Sequence, residues 1–330
     1  MDINELKELQ AMPTEWKVII TKARIRDAIT HFGIEGIYLS FSGGKDSTVL
    51  HHILKEVELE DYGKMMIPRV FANTGLEYPE LVQHVKDTMK GHEELMVFLK
   101  PKKNFIEILS KYGYPVVSKE QSRFLHEIRT TKSEKLYNLR FYGKNGTRSG
   151  MISNKWKYLI NADFKISDNC CHYMKKEPFK RYNKETGRFP IVGVMTEESR
   201  TRLRMYLANG GCNAFHGKNA QSQPIGFWTE QDIYKYIKEN NIKIPSVYGE
   251  IIEEDGKLRT TGTNRTGCMF CVYGVHMEKG KNKFQKMKET HPKLYNYCIN
   301  GGKYDENGNW APHGGLGLGK VLDDLNIKYD

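Results

Sequence analysis

Long apolar runs are missing from this chain. None of its 330 residues fall in a stretch approaching the roughly 18 uncharged apolar residues a spanning helix needs, so no membrane association is expected. The first 30 residues lack an apolar segment followed by small residues, and a cytoplasmic location is expected. Acid is also in short supply: 40 Asp+Glu face 51 Lys+Arg, a formal charge of +11. An acidic disordered chain is excluded, and the surplus favours an anionic partner, nucleotide or nucleic acid. Cysteine is scarce, six residues in all, and thiols in a cytosolic chain stay reduced, so no disulfide framework is expected. A G-x-x-x-x-G-K-[ST] stretch is absent too, which sets aside kinase and motor phosphate loops. What remains is a chain long enough for about two domains, or one with elaborations.

The order of elements is legible. Trp16, Ile19, Ile20, Ala23, Ala28 and Phe32 recur at helical spacing, and Gly33 and Gly36 end that helix. Ile37-Tyr38-Leu39 then reads as a strand running into SFSGGKDSTVLHHILKEV, a glycine turn followed by a helix. Strands are expected at 67–72, 95–99 and 189–195, with helices near 80–89, 104–112 and 228–237. Thr229 is a candidate N-cap, with Asp232 at the capping-box position. Alternating strands and helices predict an α/β fold, a twisted parallel sheet with helices on both faces. Between Ser118 and Lys165 the texture changes: eleven Lys/Arg stand against four acids, 11 − 4 = +7, interleaved with Tyr137, Phe141, Tyr142, Trp156 and Tyr158. Arg123, Arg129, Lys132, Arg140, Arg148, Lys155 and Lys157 are candidates to hold DNA or RNA phosphates, with aromatics stacking on bases. The chain divides on composition into 1–116 (first half of the core), 117–168 (a basic, mainly helical insertion), 169–245 (second half, with a cysteine pair) and 246–330 (a C-x-x-C region and tail).

Two places carry chemistry. The first is Ser42-Gly43-Gly44-Lys45-Asp46-Ser47, between a strand and a helix. Two glycines let backbone approach phosphate, and the helix start offers free N–H groups and a favourable dipole. Lys45 can balance phosphate charge, Ser42 and Ser47 can donate hydrogen bonds, and Asp46 can help hold Mg²⁺. The second is the cysteine set: the adjacent pair Cys170-Cys171, then Cys268-x-x-Cys271 after 268 − 171 − 1 = 96 residues. Four thiolates suit a [4Fe–4S] cluster or a tetrahedral zinc. An adjacent pair strains the two-knuckle geometry of a zinc ribbon. Cys212 and Cys298 are competing ligands or sulfur carriers.

The loop resembles the SGGxDS pyrophosphate loop of the ATP pyrophosphatase (PP-loop) superfamily of adenine nucleotide α-hydrolases. Asn73-Thr74-Gly75-Leu76-Glu77-Tyr78-Pro79-Glu80 resembles the D-T-G-x-x-F/Y-P-E segment of the phosphoadenylyl-sulfate (PAPS) reductase family, with Asn73 in place of Asp. Val192 to Arg200 resembles that family's V-G-x-R-x-x-E-S-x-R, with Met195 where Arg is common. Pro224-Ile225 with Trp228 and Asp232-Ile233, and Arg265-x-Gly267-Cys268 with Cys271, match further family segments in order. The resemblance implies a Rossmann-like fold and ATP with Mg²⁺, or an adenylylated nucleotide, as ligand. The nucleotide-binding set it implies is Ser40, Ser42, Gly43, Gly44, Lys45, Asp46, Ser47, Asn73, Thr74, Gly75, Gly193 and Glu198. Lys45, Asp46 and Arg200 are the implied catalytic residues.

The CC…C-x-x-C pattern resembles the cluster-binding set of bacterial-type adenylyl-sulfate reductases, which implies [4Fe–4S] at Cys170, Cys171, Cys268 and Cys271, with zinc the alternative. The reductases' C-terminal E-C-G-[IL]-H element is not found in LGLGKVLDDLNIKYD. The expected activity is therefore adenylylation at the α-phosphate with pyrophosphate release, in sulfur transfer. That resembles the sulfur-insertion branch related to DNA phosphorothioation factors and tRNA thiolases, which implies a nucleic-acid acceptor and a sulfur-donor protein. A sulfonucleotide reductase using Cys298 is one alternative. A nucleic-acid-binding module with a regulatory nucleotide site is the other.

Overall fold

The computed structural model describes residues 1–217 and 220–330. The chain forms two compact units, Met1–Lys100 with Phe179–Gly267, and Pro101–Pro178 with Cys268–Asp330. The basic stretch falls in the second unit, as do Cys170, Cys171, Cys268 and Cys271.

The first unit holds a six-stranded sheet built from β1 (Ile37–Ser40), β2 (Arg69–Ala72), β3 (Met96–Leu99), β4 (Phe189–Val192), β5 (Asn213–Ala214) and β6 (Gln221–Ser222). The spatial order is β3-β2-β1-β4-β6-β5. All neighbours are parallel except β5 and β6. This is the Rossmann-like arrangement expected. A parallel strand covered on both faces must be apolar throughout, and Ile37, Tyr38 and Leu39 are all buried. Helix Lys45–Tyr62 buries Val49, Leu50, Ile53, Leu54 and Val57, one stripe at helical spacing, and stops at Gly63 in the left-handed region. Thr229 caps helix Glu230–Glu239 with Asp232 completing the box, as expected. A hairpin, β7 (Ile251–Glu254) with β8 (Lys257–Thr260), completes the unit.

Three strands are shorter than the sequence suggests, each for a local reason. The N–H of Ile67 donates to Glu58 Oε1 at 2.6 Å, so β2 starts two residues later. Leu95 is taken into a 3₁₀ turn, Glu93–Leu95, ahead of β3. β4 ends at Val192, and the Met195 N–H goes to Glu198 Oε1 at 3.1 Å. Glu58 also binds Arg69 Nη2 at 2.5 Å, and both side chains are fully buried. Arg69 donates further to Ile67 O at 2.5 Å and His51 Nδ1 at 3.2 Å. This pair is satisfied on every side, the condition under which a buried ion pair is tolerated.

The second unit is mainly helical: Phe105–Tyr112, Lys119–Thr130, Glu134–Tyr142, Lys283–Thr290, Pro292–Ile299 and Leu318–Asp324, with a 3₁₀ run at Asn154–Asn161. Ile108, Tyr114, Leu125, Leu159, Phe164, Phe284 and Val321 are among its buried side chains. Among the described residues no helix is long and apolar enough to cross a membrane.

Candidate active site

In the first unit, β1 is followed by crossovers to β2 and β3 on one side, while β4 lies on the other. Ligands bind at such a reversal of strand order, beyond the carboxyl ends of the strands. The loop after Ser40 stands there. Gly43 has φ +71°, and a Cβ on it would meet Val85 Cγ2 at 2.6 Å, so conformation and space both demand glycine. From β4, Gly193 passes so close that its Cβ would sit 3.1 Å from Ser47 Cα. The two glycines bring the ends of β1 and β4 around one helix start.

That helix start is polar. Ser42 Oγ and Ser47 Oγ are 3.0 Å apart, and the Ser47 hydroxyl donates to Gly44 O at 3.0 Å. The Lys45 N–H donates to the Tyr248 hydroxyl at 3.1 Å, which pairs with Thr266 Oγ1 at 2.8 Å. Lys45 is only 4% exposed. Its Nζ lies 3.2 Å from Asp46 Oδ1, 3.2 Å from Glu230 Oε1, and 5.6 Å over the Tyr234 ring. Burial opposes the ammonium, but Asp46 and Glu230 outweigh it and hold Lys45 above the usual lysine range. Burial pushes the Asp46 carboxyl up, against the pull of Lys45. Asp46 Oδ1 is buried, and its only close partner among the described residues is the Lys45 ammonium, with no well-formed hydrogen bond. A hard divalent cation would satisfy such an oxygen, so the residues present fit Mg²⁺ beside a polyphosphate.

The other sequence-selected residues divide. Asn73 continues the β2–β3 ladder through its N–H to Leu99 O at 2.9 Å. Thr74 turns inward: its hydroxyl donates to Glu77 Oε1 at 2.7 Å. Gly75 sits at φ +73° in that turn. Glu198 does not pair with Arg200. Its carboxylate binds Arg202, one helical turn along. Arg200 opens helix Arg200–Ala208 exposed to solvent. Burial and the Arg265 guanidinium push Arg202 below the usual arginine range, while Asp46 favours its charge. Arg265 Nη2 also reaches Glu198 O at 3.4 Å. Asp46 is thus ion-paired with Lys45 and within electrostatic reach of Arg202, which Arg265 in turn repels; two guanidiniums that repel one another mark a place for an anion. The sequence reading missed Arg202, Glu230, Tyr234, Tyr248 and Thr266. Arg202 lies in the same R-T-R stretch as Arg200, and Glu230 follows the Thr229 cap. Nothing local in the sequence marked Tyr248.

In the second unit the four cysteines share one electrostatic neighbourhood. The Cys170–Cys171 hydrogen bond lowers Cys171 to about 6 against the opposing effect of burial, with Lys119 and Lys175 assisting. The same bond, then burial, pushes Cys170 up, and the charges of Cys271 and Cys268 add to it. Burial and the Cys271 charge push Cys268 up to about 12. Lys283 Nζ donates to Cys268 O at 3.1 Å. Among the described residues, no three His, Cys, Asp or Glu side chains converge closely enough to hold an ion. The donor chemistry fits a thiolate-bound centre, and among the described residues no assembled coordination shell is present. Cys298 is fully buried and burial raises its thiol. Cys212 belongs to the first unit, its sulfur 3.0 Å from the Tyr206 hydroxyl.

A parallel sheet whose strand order reverses beside a G-G-K-D loop defines a PP-loop protein of the adenine nucleotide α-hydrolase superfamily. Residues 36–148 and 142–272 match the phosphoadenosine phosphosulfate reductase domain, and the chain belongs to that family. An uncharacterized protein of Methanocaldococcus jannaschii is 27% identical over 265 residues, covering 80% of this chain; the chain spans about half that relative's length, 46%. Among solved structures, the PAPS reductase of Candida auris in a phosphate complex aligns with 78% of this chain and 98% of its own, at 14% identity and TM-score 0.39. An FMN adenylyltransferase of Candida glabrata in complex with ATP covers 77% of this chain and 68% of its own, at 12% identity and TM-score 0.42. A U34-tRNA thiolase of Methanococcus maripaludis with a [4Fe–4S] cluster covers 70% and 66%, at 16% identity and TM-score 0.36. Likenesses this distant have no bearing on chemistry.

Proposed function

We propose that this protein binds ATP through the Ser42–Ser47 loop and acts at the α-phosphate, adenylylating an acceptor oxygen and releasing pyrophosphate, as the activating half of a sulfur transfer. The observation that carries this reading is the buried helix start after β1, where Gly43 is sterically obligatory and the buried Lys45 is paired with Asp46. The loop amides and Lys45 bind the β- and γ-phosphates. Arg202 and Arg265 draw charge from the α-phosphate as the acceptor oxygen attacks and the bond to the β-phosphate breaks. Asp46 supports Mg²⁺. A sulfur nucleophile from a donor protein then displaces AMP. Cys170, Cys171, Cys268 and Cys271 are the residues that would hold a [4Fe–4S] cluster, which when bound supplies thiophilic iron; zinc is the alternative. Nucleic acid is the proposed acceptor class. Buried Cys298 is ill placed to act as the nucleophile of a sulfonucleotide reductase.

Pyrophosphate release from ATP with Mg²⁺ tests the reading. Removing a group that stabilises transferring phosphoryl charge costs roughly 100-fold or more in rate, and that loss is expected for Asp46→Asn and Lys45→Ala. ATP binding unaffected by Gly43→Ala, with no pyrophosphate under any acceptor, would sink it.

A further inference from the structure

A surface helix ordinarily buries an apolar stripe. Helix Glu134–Tyr142, in the second unit, does not: none of its residues is fully buried, yet it carries Tyr137, Phe141 and Tyr142. Tyr142 is 66% exposed and Tyr137 41%. The Tyr137 and Phe141 rings lie nearly parallel, centroids 5.8 Å apart, and Phe141 meets Tyr142 at 4.9 Å. The 3₁₀ run Asn154–Asn161 joins this strip, since Lys157 Nζ stands 4.3 Å over the Phe141 ring. Next to Lys157, Lys155 Nζ lies 4.7 Å over Trp156. Trp156 and Tyr158 then wall a cavity of about 360 Å³ with Lys155, His276 and Lys328. His276 meets the Trp156 ring edge-on at 5.2 Å, and its Nδ1 is buried with no hydrogen-bond partner among the described residues.

The charges of this face differ from those beneath it. Arg129 is structural, donating to Phe164 O at 2.7 Å and Ala162 O at 2.9 Å. Arg140 is bound to Glu127 and stacked 4.0 Å over Phe124. Lys132, Lys135, Lys144, Arg148 and Lys155 are exposed, and none of them makes an ion pair among the described residues. Across residues 131–158 seven Lys/Arg face Glu134 alone. Exposed aromatics alternating with unpaired cations suit a strand whose bases are free to stack and whose phosphates need charge. A duplex keeps its bases stacked on one another and offers those rings nothing.

We propose that the face formed by helix Glu134–Tyr142, Lys155–Lys157 and the Trp156–His276 cavity binds single-stranded nucleic acid, with bases on Tyr142, Tyr137 and Phe141, and one base entering the cavity to meet His276. It deepens the acceptor class proposed above, while resting on contacts separate from the phosphate loop.

The test is fluorescence anisotropy on the full chain with labelled oligonucleotides of about 15 nucleotides, a length that spans several stacking sites. Single-stranded RNA, single-stranded DNA, the matching duplex and a polyglutamate peptide are compared. Single strands are expected to bind roughly 10-fold tighter than duplex, with Tyr142→Ala and Lys155→Glu each weakening binding about 10-fold, and binding falling steeply with salt. The RNA and DNA arms show which sugar is preferred. Thermal melts confirm that both surface variants are folded. Equal binding of duplex, indifference to Tyr142→Ala, equal capture of polyglutamate, or no single-strand binding at low salt would each overturn the proposal. ATP binding is measured in parallel: oligonucleotide binding without ATP binding removes the nucleotide reading and leaves this one standing, and the reverse result does the opposite.

Discussion

The phosphate loop and the helix Glu134–Tyr142 are both rich in charge, and they treat it oppositely. At the loop, Lys45 is buried against Asp46 and Glu230, and below it Arg69 and Glu58 are sealed in the core. On the helix and in the turns before and after it, Lys132, Lys135 and Lys144 face water without a carboxylate partner among the described residues. A charge withdrawn from water must be matched on the spot, so its partners are built into the fold. A charge left in water is cheap, and becomes useful when a ligand brings the opposite sign.

The largest expected effect tests the buried side. Glu58→Gln strands the Arg69 guanidinium in the core and is expected to cost about 3–5 kcal/mol in chemical denaturation. An effect below about 1 kcal/mol would show that the pair is not sealed as described. Next is pH. Burial lowers His84 to about 4, and His51 is pushed down by burial and Arg69. The unfolded chain takes up protons near 6.5 while folded His84 resists, so stability is held above that pH and lost as pH falls toward 4. For His84 the loss is about 3 kcal/mol. Urea denaturation at neutral and acidic pH measures it, and His84→Gln is expected to flatten the profile. Gly193→Ala forces the end of β4 away from Ser47; overpacking of this kind costs roughly 1–3 kcal/mol, and ATP affinity is expected to drop with it by titration calorimetry. The smallest effect closes the contrast: Lys132→Ala changes stability by less than about 0.5 kcal/mol while weakening oligonucleotide binding.

The α/β class was legible because parallel strands leave short apolar runs between helical stripes. The loop was legible because six adjacent residues build it, and Thr229 with Asp232 formed the predicted cap. Strand ends were less legible, because β2 begins only past Met66 and Ile67, whose backbone N–H groups are claimed by the Glu58 carboxylate eight and nine residues earlier in the chain. Arg200 stood out in the sequence, yet the helix turns Arg202 toward Glu198 and leaves Arg200 outside. The basic stretch read as uniform, whereas Arg129 and Arg140 are spent on carbonyls and Glu127.

The sequence by itself determined what local pattern encodes: the order of strands and helices, the glycine turn and its lysine, the grouping of thiols, and a surplus of positive charge. Only the tertiary structure decided which cations stay free. That choice depends on carboxylates and carbonyls distant along the chain, such as Glu230 for Lys45 and Ala162 for Arg129. Side-chain charge is a property of the residue; its compensation is a property of the fold.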